Sequence, residues 1–484
     1  MELDRPIEAL AADVQSGRVT AEALVTASLE AIERAESFHT VLEVNAAAVD
    51  RAKAIDTRIK RGESLGRLAG VPFIAKDNFL TTGTHTTAAS HILEPFEAPY
   101  QATAIERLEA EGAVMIAKAN LDAFGHGSST ENSDFGPTKN PWDPAKVPGG
   151  SSGGPAAAVA LGLAPFALAT DTGGSIRFPA SLTGTVGLKP TYGLVSRYGV
   201  VAMASSTDTI GPITRSVADT ALVLDVLAGK DPADATTIER APRYTIGKPD
   251  VKGLRVGLVR DFIEAEGVAP EVRASIEATV ERLEAAGASV TEFSLPAADL
   301  ALACYYIIVP AEISSNLSRY DGIKYGLSAP EATSLAETYE LSRSHGFGAE
   351  AQRRILIGTY VLSSGYYDAY YKKAQTVRTQ LIEQFAAAFK DYDVLLGPTS
   401  ATTAFALGAK AADPLAMYAT DIMTVAPSLV GCPAISLPSG LDSGGLPIGL
   451  QLVGPQRGEV ELLAAAAGLE RLLDFTARSS GVVT

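Results

Sequence analysis

From residue 70 onward, short apolar runs alternate with segments of helical periodicity, and this alternation restricts the fold more than any other feature of the sequence. Two apolar runs, "GVPFIAKDN" (70–78) and "AVMIAKANLD" (113–122), flank a helical segment at 102–112. Later apolar runs lie at 165–174, 185–191, 254–261, 393–399, 432–438 and 446–454, with helical segments at 269–286 and 459–473. Apolar strands interleaved with helices are typical of α/β proteins. The sequence therefore predicts an α/β fold with a largely buried, mixed sheet.

The regions outside this alternation are predicted to be helical. At the N-terminus, residues 20–36 have apolar side chains at helical spacing with Thr20 as N-cap, and 43–62 form a second helix that ends at Gly62. Residues 299–392 are rich in helical patterns and are expected to form a helical layer.

The segment 229–253 bears on the number of domains. It is polar and contains three prolines, which is typical of a linker between domains. A long connection that crosses the surface of a single domain has the same composition, so both interpretations stay open. The length of 484 residues alone suggests two or three domains.

Composition excludes several classes of protein. Hydrophobic residues make up 46% and charged residues 20%, which is ordinary for a globular protein. The net charge of −16 opposes direct binding to nucleic acid. The two cysteines, Cys304 and Cys432, lie in apolar contexts and are expected to be buried free thiols, and no His/Cys cluster indicates a zinc site. No secretory signal begins the sequence and no apolar run is long enough for a membrane span, so we expect a cytoplasmic location.

The stretch "PGGSSGGPAAAVA" (148–160) places two adjacent serines, Ser151 and Ser152, on flexible backbone before a helical run. A phosphate-binding loop is one interpretation, but Gly-Gly-Pro stands where the Walker pattern needs Gly-Lys-Ser/Thr, and no apolar strand precedes it. A serine nucleophile elbow is another, because G-x-S-x-G occurs twice in overlapping frames. That motif needs a downstream histidine, and only His345 follows it. Both interpretations are disfavoured.

A serine paired with a lysine base is the third interpretation. Lys76 ends a predicted buried strand, where burial favours the neutral amine, although a lysine that emerges into solvent would give the same pattern. A second Gly-rich loop, "ATDTGGSIRFPAS" (169–181), places Thr172, Gly173 and Gly174 before Ser175. Such a loop presents backbone N–H groups to a developing oxyanion beside a serine hydroxyl. The two loops and the lysine together indicate nucleophilic catalysis.

These motifs, with "GLKPT" and the tail "LPIGLQLVGP", resemble the amidase signature family. The resemblance implies a single amidase domain over 1–484 with a large mixed β-sheet flanked by helices on both faces. Its parts would be N-terminal helices at 5–62, a signature core at about 70–228 and a helix-rich layer at about 299–392.

The resemblance also implies the catalytic residues, a Ser–Ser–Lys triad that cleaves amide bonds. Lys76 is the implied base, Ser151 the middle serine beside a cis peptide bond, and Ser175 the acylated nucleophile. The implied oxyanion hole is the backbone of Thr172, Gly173 and Gly174, residues 172–174. The spacing of 75 residues from base to middle serine and 24 from there to the nucleophile fits the family.

Within the family, the chain is most similar to the A subunits of the glutamyl-tRNA(Gln) amidotransferases, in the stretches 127–143, 189–202, 311–326 and 347–374. This similarity implies a glutaminase that supplies ammonia to a B subunit, with a small C subunit alongside. The B subunit would use ATP and Mg²⁺ and hold the tRNA, so no cofactor is expected in this chain. A stand-alone amidase for another amide, and a non-catalytic scaffold, are the alternatives; the intact triad argues against the scaffold.

Glutamine selection needs a cation for the α-carboxylate and an anion for the α-ammonium group. The family pattern implies Arg354 and Asp421 for these roles, with Arg353 as an adjacent alternative, and Ser128 as a further residue of the substrate pocket.

Five residues depart from the usual pattern of these subunits. Ala123, Gly125 and His126 stand where the family more often has Glu, Ala and Met, Phe178 replaces a Gln after the nucleophile, and Pro155 replaces a Ser. None belongs to the triad, so the departures bear on the substrate more than on the chemistry.

Overall fold

The computed structural model describes residues 3–244, 246, 249–479 and 481. In this part of the chain, one mixed sheet of eleven strands has the order β1-β3-β2-β4-β6-β5-β10-β11-β9-β7-β8. The strands are β1 (Val41–Val44), β2 (Pro72–Lys76), β3 (Val114–Ala119), β4 (Phe166–Asp171), β5 (Val186–Lys189), β6 (Thr209–Thr214), β7 (Arg255–Val259), β8 (Ser289–Phe293), β9 (Val394–Pro398), β10 (Ala434–Leu441) and β11 (Pro447–Val453).

Helices connect and cover these strands. They are α1 (Ile7–Gln15), α2 (Ala21–Arg34), α3 (Ala48–Lys60), α4 (Thr103–Ala110), α5 (Gly153–Leu161), α6 (Arg177–Thr183), α7 (Val217–Leu227), α8 (Arg260–Ile263), α9 (Pro270–Ala285), α10 (Ala301–Asn316), α11 (Leu335–Gly346), α12 (Ala349–Leu362), α13 (Lys373–Asp391), α14 (Pro414–Tyr418), α15 (Val425–Val430) and α16 (Glu459–Leu473). A π-helical turn, Tyr367–Lys372, precedes α13.

The strands separate two apolar cores, one on each face of the sheet. Along β9, Leu396 belongs to the core that includes α9 and α16, whereas Leu395 belongs to the core that includes α10 and α13. Successive residues of a strand point to opposite faces, so these helices cover the two faces. The predicted α/β fold, with a large mixed sheet flanked by helices on both faces, is confirmed.

Three parallel strands set the position of the functional residues. β2 lies between β3 and β4 and is parallel to both, and its Ala75 pairs with Leu168 of β4. The carboxyl ends of β2 and β4 therefore meet at one edge of the sheet, which places Lys76 beside the residues that end β4.

The N-terminal helix prediction is partly wrong. The helix predicted at 20–36 is confirmed as α2, and Thr20 Oγ1 accepts a hydrogen bond from the Ala23 N–H at 3.1 Å. The helix predicted at 43–62, however, begins only at Ala48, because Val41–Val44 pairs as an antiparallel strand with β3.

The polar segment 229–253 joins two parts of one sheet. Strands β1 to β6 precede it, β7 to β11 follow it, and its described residues contain neither a helix nor a strand of the sheet. It is therefore a crossing between strands of the same sheet.

One described helical stretch, Pro296–Arg319, is long and apolar enough to cross a membrane by length and composition. Of its most apolar window, 56% is buried inside the protein, where α10 packs on α12 and α13. A core helix has the same properties. Cys304 and Cys432 are both buried and form no disulfide.

Candidate active site

Lys76 ends β2 and is fully buried. Its Nζ atom lies 2.7 Å from Ser151 Oγ, 2.9 Å from Ser152 Oγ and 3.0 Å from Thr170 Oγ1. Thr170 lies on β4, and the two serines immediately precede α5. The parallel register of β2 and β4 thus brings the strand-end lysine against the Gly-Ser loop.

The hydrogen bonds around Lys76 distinguish the two adjacent serines. Ser152 Oγ donates to the Thr170 carbonyl at 3.1 Å, so it acts as an acceptor toward Lys76. Ser151 Oγ contacts Lys76 Nζ and has no other hydrogen-bond partner among the described residues. Of the two, Ser151 therefore has the hydroxyl hydrogen that a neutral lysine can accept. The peptide bond between Gly150 and Ser151 is cis.

Burial lowers the pKa of Lys76 to about 7, and the carboxylates of Asp122, Asp171 and Asp208 oppose the shift. An ammonium group without water around it is less stable than the neutral amine, which is the physical cause of this direction. At neutral pH a large fraction of Lys76 is thus unprotonated and able to act as a general base.

Asp122 packs against the Gly150–Ser151 bond. Its backbone N–H donates to the Ser151 carbonyl at 3.2 Å, and its carboxylate accepts hydrogen bonds from the N–H groups of Thr130 at 2.8 Å and Asn132 at 3.1 Å. A Cβ at Gly150 would lie 2.1 Å from Asp122 Oδ2, so only glycine fits there. Burial raises the pKa of Asp122 to about 6, and the two amide hydrogen bonds oppose the rise.

Ser175 lies in the turn between β4 and α6. It is 9% exposed, whereas Ser151 is 1% exposed and Lys76 is fully buried. Its carbonyl accepts the Ser152 N–H at 3.1 Å, which joins the turn to the Gly-Ser loop. Its hydroxyl makes no hydrogen bond to any described residue, Ser151 included. Ser175 is therefore the hydroxyl of this group that faces an incoming substrate.

A buried ion pair holds the turn between β4 and α6. Arg177 is fully buried and donates from Nε and Nη2 to the two carboxylate oxygens of Asp171, each at 3.0 Å. The same guanidinium donates to the Thr424 carbonyl at 3.0 Å, to Ser428 Oγ at 2.8 Å and to Gln451 Oε1 at 3.1 Å. A bidentate pair of this kind fixes geometry as well as charge.

The backbone of this turn offers unpaired N–H groups. The amides of Thr172, Gly173, Gly174 and Ser175 donate no hydrogen bond to any described residue. Gly174 has a φ of +143°, and a Cβ there would lie 2.2 Å from Thr424 Oγ1, so only glycine fits. Four amides beside an accessible hydroxyl have the arrangement that binds an oxyanion.

Side chains packed behind the turn fix its position. Thr172 Oγ1 donates to Asp208 Oδ1 at 2.7 Å, and Thr424 Oγ1 donates to the Gly173 carbonyl at 2.5 Å. Tyr305 packs so closely that a Cβ at Gly173 would lie 2.5 Å from its Oη. The N–H groups of the turn are therefore held in place before any substrate binds.

Asp421 and Ser128, the implied substrate contacts, are hydrogen-bonded to each other. Ser128 Oγ donates to Asp421 Oδ1 at 2.6 Å, and Tyr306 Oη donates to Asp421 Oδ2 at 2.7 Å. Burial raises the pKa of Asp421, and these two hydrogen bonds oppose the rise. A Cβ at Gly150 would lie 2.8 Å from the Ser128 carbonyl carbon, so this group borders the Gly-Ser loop.

Arg354 is buried on α12 and lies near the rings of Tyr306 and Tyr418, with its Cζ 5.3 and 5.4 Å from the two ring centroids. Its Nε donates to Glu350 Oε1 at 2.8 Å, and its terminal nitrogens make no hydrogen bond to a described residue. The side chain of Arg353 is 42% exposed and pairs with the other carboxylate oxygen of Glu350. Arg354 is thus a buried cation whose terminal N–H groups make no hydrogen bond to a described residue.

Sequence reasoning missed several residues that shape this site. Asp171 and Arg177 lie inside the second Gly-rich motif, on either side of Ser175. An acid and an arginine in these positions could have indicated the ion pair that they form. Asp208, Glu350 and Tyr418 lie far from the motifs, and the sequence around them does not indicate that they contact the site. Tyr418 Oη donates to Glu350 Oε1 at 2.7 Å and so helps to hold the carboxylate that binds Arg354.

Three of the five departures from the family pattern have clearly different surroundings. Phe178 is buried in a small apolar cluster with Val147 and Leu182, so it contributes to packing. Pro155 is the third residue of α5, in the first turn, where its missing N–H removes no helical hydrogen bond. His126 is fully buried, and both of its ring nitrogens lack a hydrogen-bond partner among the described residues.

Within the described residues, no group of three or more His, Cys, Asp and Glu side chains is placed to hold a metal ion. The side chains and backbone groups described above are hydroxyls, an amine and backbone amides.

The fold is that of an amidase, and the chain belongs to the amidase family, whose sequence model matches residues 23–463. It is 52% identical, over 97% of this chain and 96% of the relative, to a protein of Synechococcus sp. (strain CC9605) that is named as the A subunit of glutamyl-tRNA(Gln) amidotransferase.

Two solved structures are also similar to this chain. The crystal structure of the glutamyl-tRNA(Gln) amidotransferase A subunit from Thermotoga maritima is 39% identical, with a TM-score of 0.79 and coverage of 96% of this chain and 94% of that one. The native peptide amidase from Stenotrophomonas maltophilia is 29% identical, with a TM-score of 0.83 and 98% of each chain covered.

Proposed function

We propose that this chain is the glutaminase subunit of a tRNA-dependent amidotransferase, which hydrolyses L-glutamine and supplies ammonia for the conversion of Glu-tRNA(Gln) to Gln-tRNA(Gln). The observation that carries the proposal is one buried region in which a Ser–Ser–Lys arrangement, a cation at Arg354 with unpaired terminal nitrogens and a carboxylate at Asp421 occur together. The names of the most similar relatives support the same function.

The pocket matches the two charges of a free amino acid. The terminal nitrogens of Arg354 bind the α-carboxylate, and Asp421, oriented by Ser128 and Tyr306, binds the α-ammonium group. The side-chain amide then points to Ser175. Burial raises the pKa of Asp421. Its carboxylate is therefore a stronger hydrogen-bond acceptor for a cation that enters the pocket.

Acylation begins with the neutral amine of Lys76. It accepts a proton through Ser151 as Ser175 Oγ attacks the glutamine side-chain carbonyl, which requires the Ser175 hydroxyl to turn toward Ser151 when substrate binds. The amides of residues 172–174, with that of the nucleophile, hold the tetrahedral oxyanion. The C–N bond breaks as the leaving nitrogen takes a proton back through the same relay, giving ammonia and a glutamyl ester on Ser175.

Deacylation repeats the relay with water. Water loses a proton through Ser151 to Lys76 and attacks the ester carbonyl, and the proton returns to Ser175 Oγ as glutamate leaves. The fixed turn serves both halves of the reaction because the same oxyanion position is used twice.

The proposal includes the assembly. The chain forms a single amidase domain, as the one sheet on both sides of 229–253 supports, and acts in the cytoplasm in a heterotrimer with the B and C subunits of the amidotransferase. The B subunit uses ATP and Mg²⁺ and binds the tRNA, in agreement with the net charge of −16 on this chain. This chain itself needs no cofactor.

A stand-alone amidase is the second candidate, favoured by the similarity to a peptide amidase and by the unusual His126. The two candidates differ in the substrate. The test measures hydrolysis of the side-chain amide in three substrates. They are L-glutamine, N-acetyl-L-glutamine, and L-glutamine whose α-carboxylate is blocked as an amide. The glutaminase proposal expects kcat/KM to fall at least about tenfold when either charge is blocked. Equal or better hydrolysis of the blocked amides supports the stand-alone amidase, as does failure to copurify with the B and C subunits.

Replacement of Arg354 by Met should raise the KM for L-glutamine and lower kcat/KM by about 10- to 100-fold, the usual contribution of hydrogen bonds to a charged group. The effect falls mainly on KM because the α-carboxylate lies far from the reacting carbonyl. The matched control is Arg353→Met, one residue away and 42% exposed, which should change kcat/KM little. Equal losses in both variants would show that the guanidinium of Arg354 does not bind the substrate.

The decrease of kcat/KM on the acid side of the pH profile, its acid limb, should follow the protonation of Lys76. Its pKa is lowered to about 7, and only the neutral amine accepts a proton, so kcat/KM should fall as pH drops below about 7 and level off above it. The charge of Asp122 raises the pKa of Lys76, so Asp122→Asn should move this limb to lower pH. Measurement of kcat/KM from about pH 5 to about pH 8.5 in both proteins, a range that brackets this pKa, decides the matter. A limb that does not move in Asp122→Asn contradicts the assignment.

A further inference from the structure

The two tyrosines beside Arg354 are stacked on each other. Tyr306 lies on α10 and Tyr418 ends α14, and their ring centroids are 4.1 Å apart with an angle of 22° between the ring planes. Arg354 Cζ lies 5.3 Å from one centroid and 5.4 Å from the other. A guanidinium group at this distance from aromatic rings is attracted to them. The three side chains therefore pack as one cluster.

Each hydroxyl of the stacked pair holds a different carboxylate. Tyr306 Oη donates to Asp421 Oδ2 at 2.7 Å, and Tyr418 Oη donates to Glu350 Oε1 at 2.7 Å. Glu350 Oε1 also accepts the Nε–H of Arg354 at 2.8 Å. The pair is thus connected directly to Asp421 and, through Glu350, to Arg354.

These contacts also fix the direction of the Arg354 guanidinium group. Its one hydrogen bond to a described residue runs from Nε to Glu350. The guanidinium group is planar, so an anchored Nε and the rings beside it determine where the terminal nitrogens point. The stacked pair therefore contacts or orients both charged groups, Arg354 and Asp421, that are proposed to bind glutamine.

The spacing of these two groups matters because a free amino acid has a nearly fixed spacing of its own. Its α-ammonium and α-carboxylate groups are attached to the same carbon atom. A pocket whose cation and anion are held in place before binding loses less free energy in ordering them than a pocket whose charged side chains move. Rigid spacing thus favours substrates that carry both charges.

We propose that the stacked pair of Tyr306 and Tyr418 sets the spacing between Arg354 and Asp421 and so determines the specificity for a free α-amino acid. The inference rests on the proposed glutaminase function, which assigns Arg354 and Asp421 to the substrate. Both tyrosines are positioning residues. They act through Asp421 and through Glu350 and Arg354, at the end of the substrate opposite to the reacting amide.

The test measures kcat/KM for the three substrates named above, with the full chain and the B and C subunits present. The ammonium ratio is kcat/KM for L-glutamine divided by that for N-acetyl-L-glutamine. The carboxylate ratio is kcat/KM for L-glutamine divided by that for the substrate blocked at the α-carboxylate. A variant that only lowers the fraction of folded protein lowers all three values equally and leaves both ratios unchanged.

Removal of each hydroxyl should affect one ratio. Tyr306→Phe keeps the ring and loses the hydrogen bond to Asp421, so the ammonium ratio should fall about tenfold and the carboxylate ratio should stay within about twofold. Tyr418→Phe keeps the ring and loses the hydrogen bond to Glu350. It should lower the carboxylate ratio about threefold and leave the ammonium ratio within about twofold.

Removal of the Tyr418 ring should affect both ratios. Tyr418→Leu takes away the surface on which Tyr306 stacks, so the ammonium ratio should fall as well. Because Tyr418 lies three residues before Asp421 in the chain, a displaced backbone would lower the same ratio. The double variant separates these causes. If the ring acts through the Tyr306 hydroxyl, Tyr418→Leu lowers the ammonium ratio no further in the Tyr306→Phe protein.

The matched control is Tyr392→Leu, which removes a tyrosine ring that packs on Phe293 with the ring centroids 4.9 Å apart. Both ratios should stay at their wild-type values. Equal changes in Tyr392→Leu and Tyr418→Leu would show a general effect of losing a packed ring and would overturn the proposal.

Two further results overturn the proposal: an unchanged ammonium ratio in Tyr418→Leu, or an equal fall caused by this change with and without the Tyr306 hydroxyl. The wild-type protein tests the proposed function separately. If both of its ratios are about one, the proposed function fails and this inference fails with it. If the wild-type ratios are high and the tyrosine variants keep them, this inference alone fails.

Discussion

Replacement of Ser175 by Ala should abolish the glutamyl-enzyme and lower turnover on the order of 10⁶-fold, the loss usual for a serine nucleophile. We expect this because Ser175 is the most exposed of the three serines, Ser151, Ser152 and Ser175, and lies beside four amides that donate no hydrogen bond to a described residue. The measurement is intact-protein mass spectrometry after a rapid acid quench with L-glutamine, followed by peptide mapping. The adduct should map to Ser175 in the wild-type protein and be absent in the variant.

The control is Ser152→Ala, which removes a neighbouring hydroxyl that also contacts Lys76. Because Ser152 donates its hydrogen to the Thr170 carbonyl, it takes no part in the relay, and the adduct on Ser175 should still form. An adduct on Ser151 or Ser152 in the wild-type protein would revive the nucleophile elbow and reject the mechanism. If no adduct forms, the experiment is repeated with the B and C subunits present.

Replacement of Lys76 by Met should lower kcat/KM by about 10² to 10⁴-fold, the usual contribution of a positioned general base. Methionine has a similar length and is uncharged, so it fits the buried position without the desolvation that an ammonium group suffers. The acid limb near pH 7 should disappear together with the activity, because the group that titrates is gone. Stopped assays of ammonia release over the same pH range measure both effects.

A second buried lysine supplies the control. Burial lowers the pKa of Lys189 to about 8, and its Nζ donates to the Pro190 carbonyl at 3.1 Å without contacting a serine. Lys189→Met should therefore retain the acid limb and the acyl-enzyme, even if the protein melts at a lower temperature. Near wild-type turnover in Lys76→Met would falsify the relay.

The sequence predicted eight of the eleven strands, all but β1, β6 and β8, because their signals are local. β2 and β4 are continuous apolar runs, and Lys76 and Ser175 each lie within or next to such a run. β8 was missed for the opposite reason. Its residues are half exposed at the edge of the sheet, so "SVTEF" shows no apolar run.

Contacts between distant parts of the chain were not predictable from one sequence. Asp208 holds Thr172 across 36 residues, and Arg177 binds the Thr424 carbonyl across 247. Nothing in the local pattern around Asp208 or Thr424 indicates such a partner. The choice between Arg353 and Arg354 also needed the structure, since adjacent residues on a helix face different directions.

The bonds of Arg177 to Thr424, Ser428 and Gln451 have a consequence for biogenesis. While the chain is still being synthesised, the nucleophile turn can form its local ion pair with Asp171, but its supports are not yet translated. All of these bonds can form only after residue 451 has been synthesised. A growing chain that ends before that residue therefore lacks part of the support that holds the turn in the complete protein.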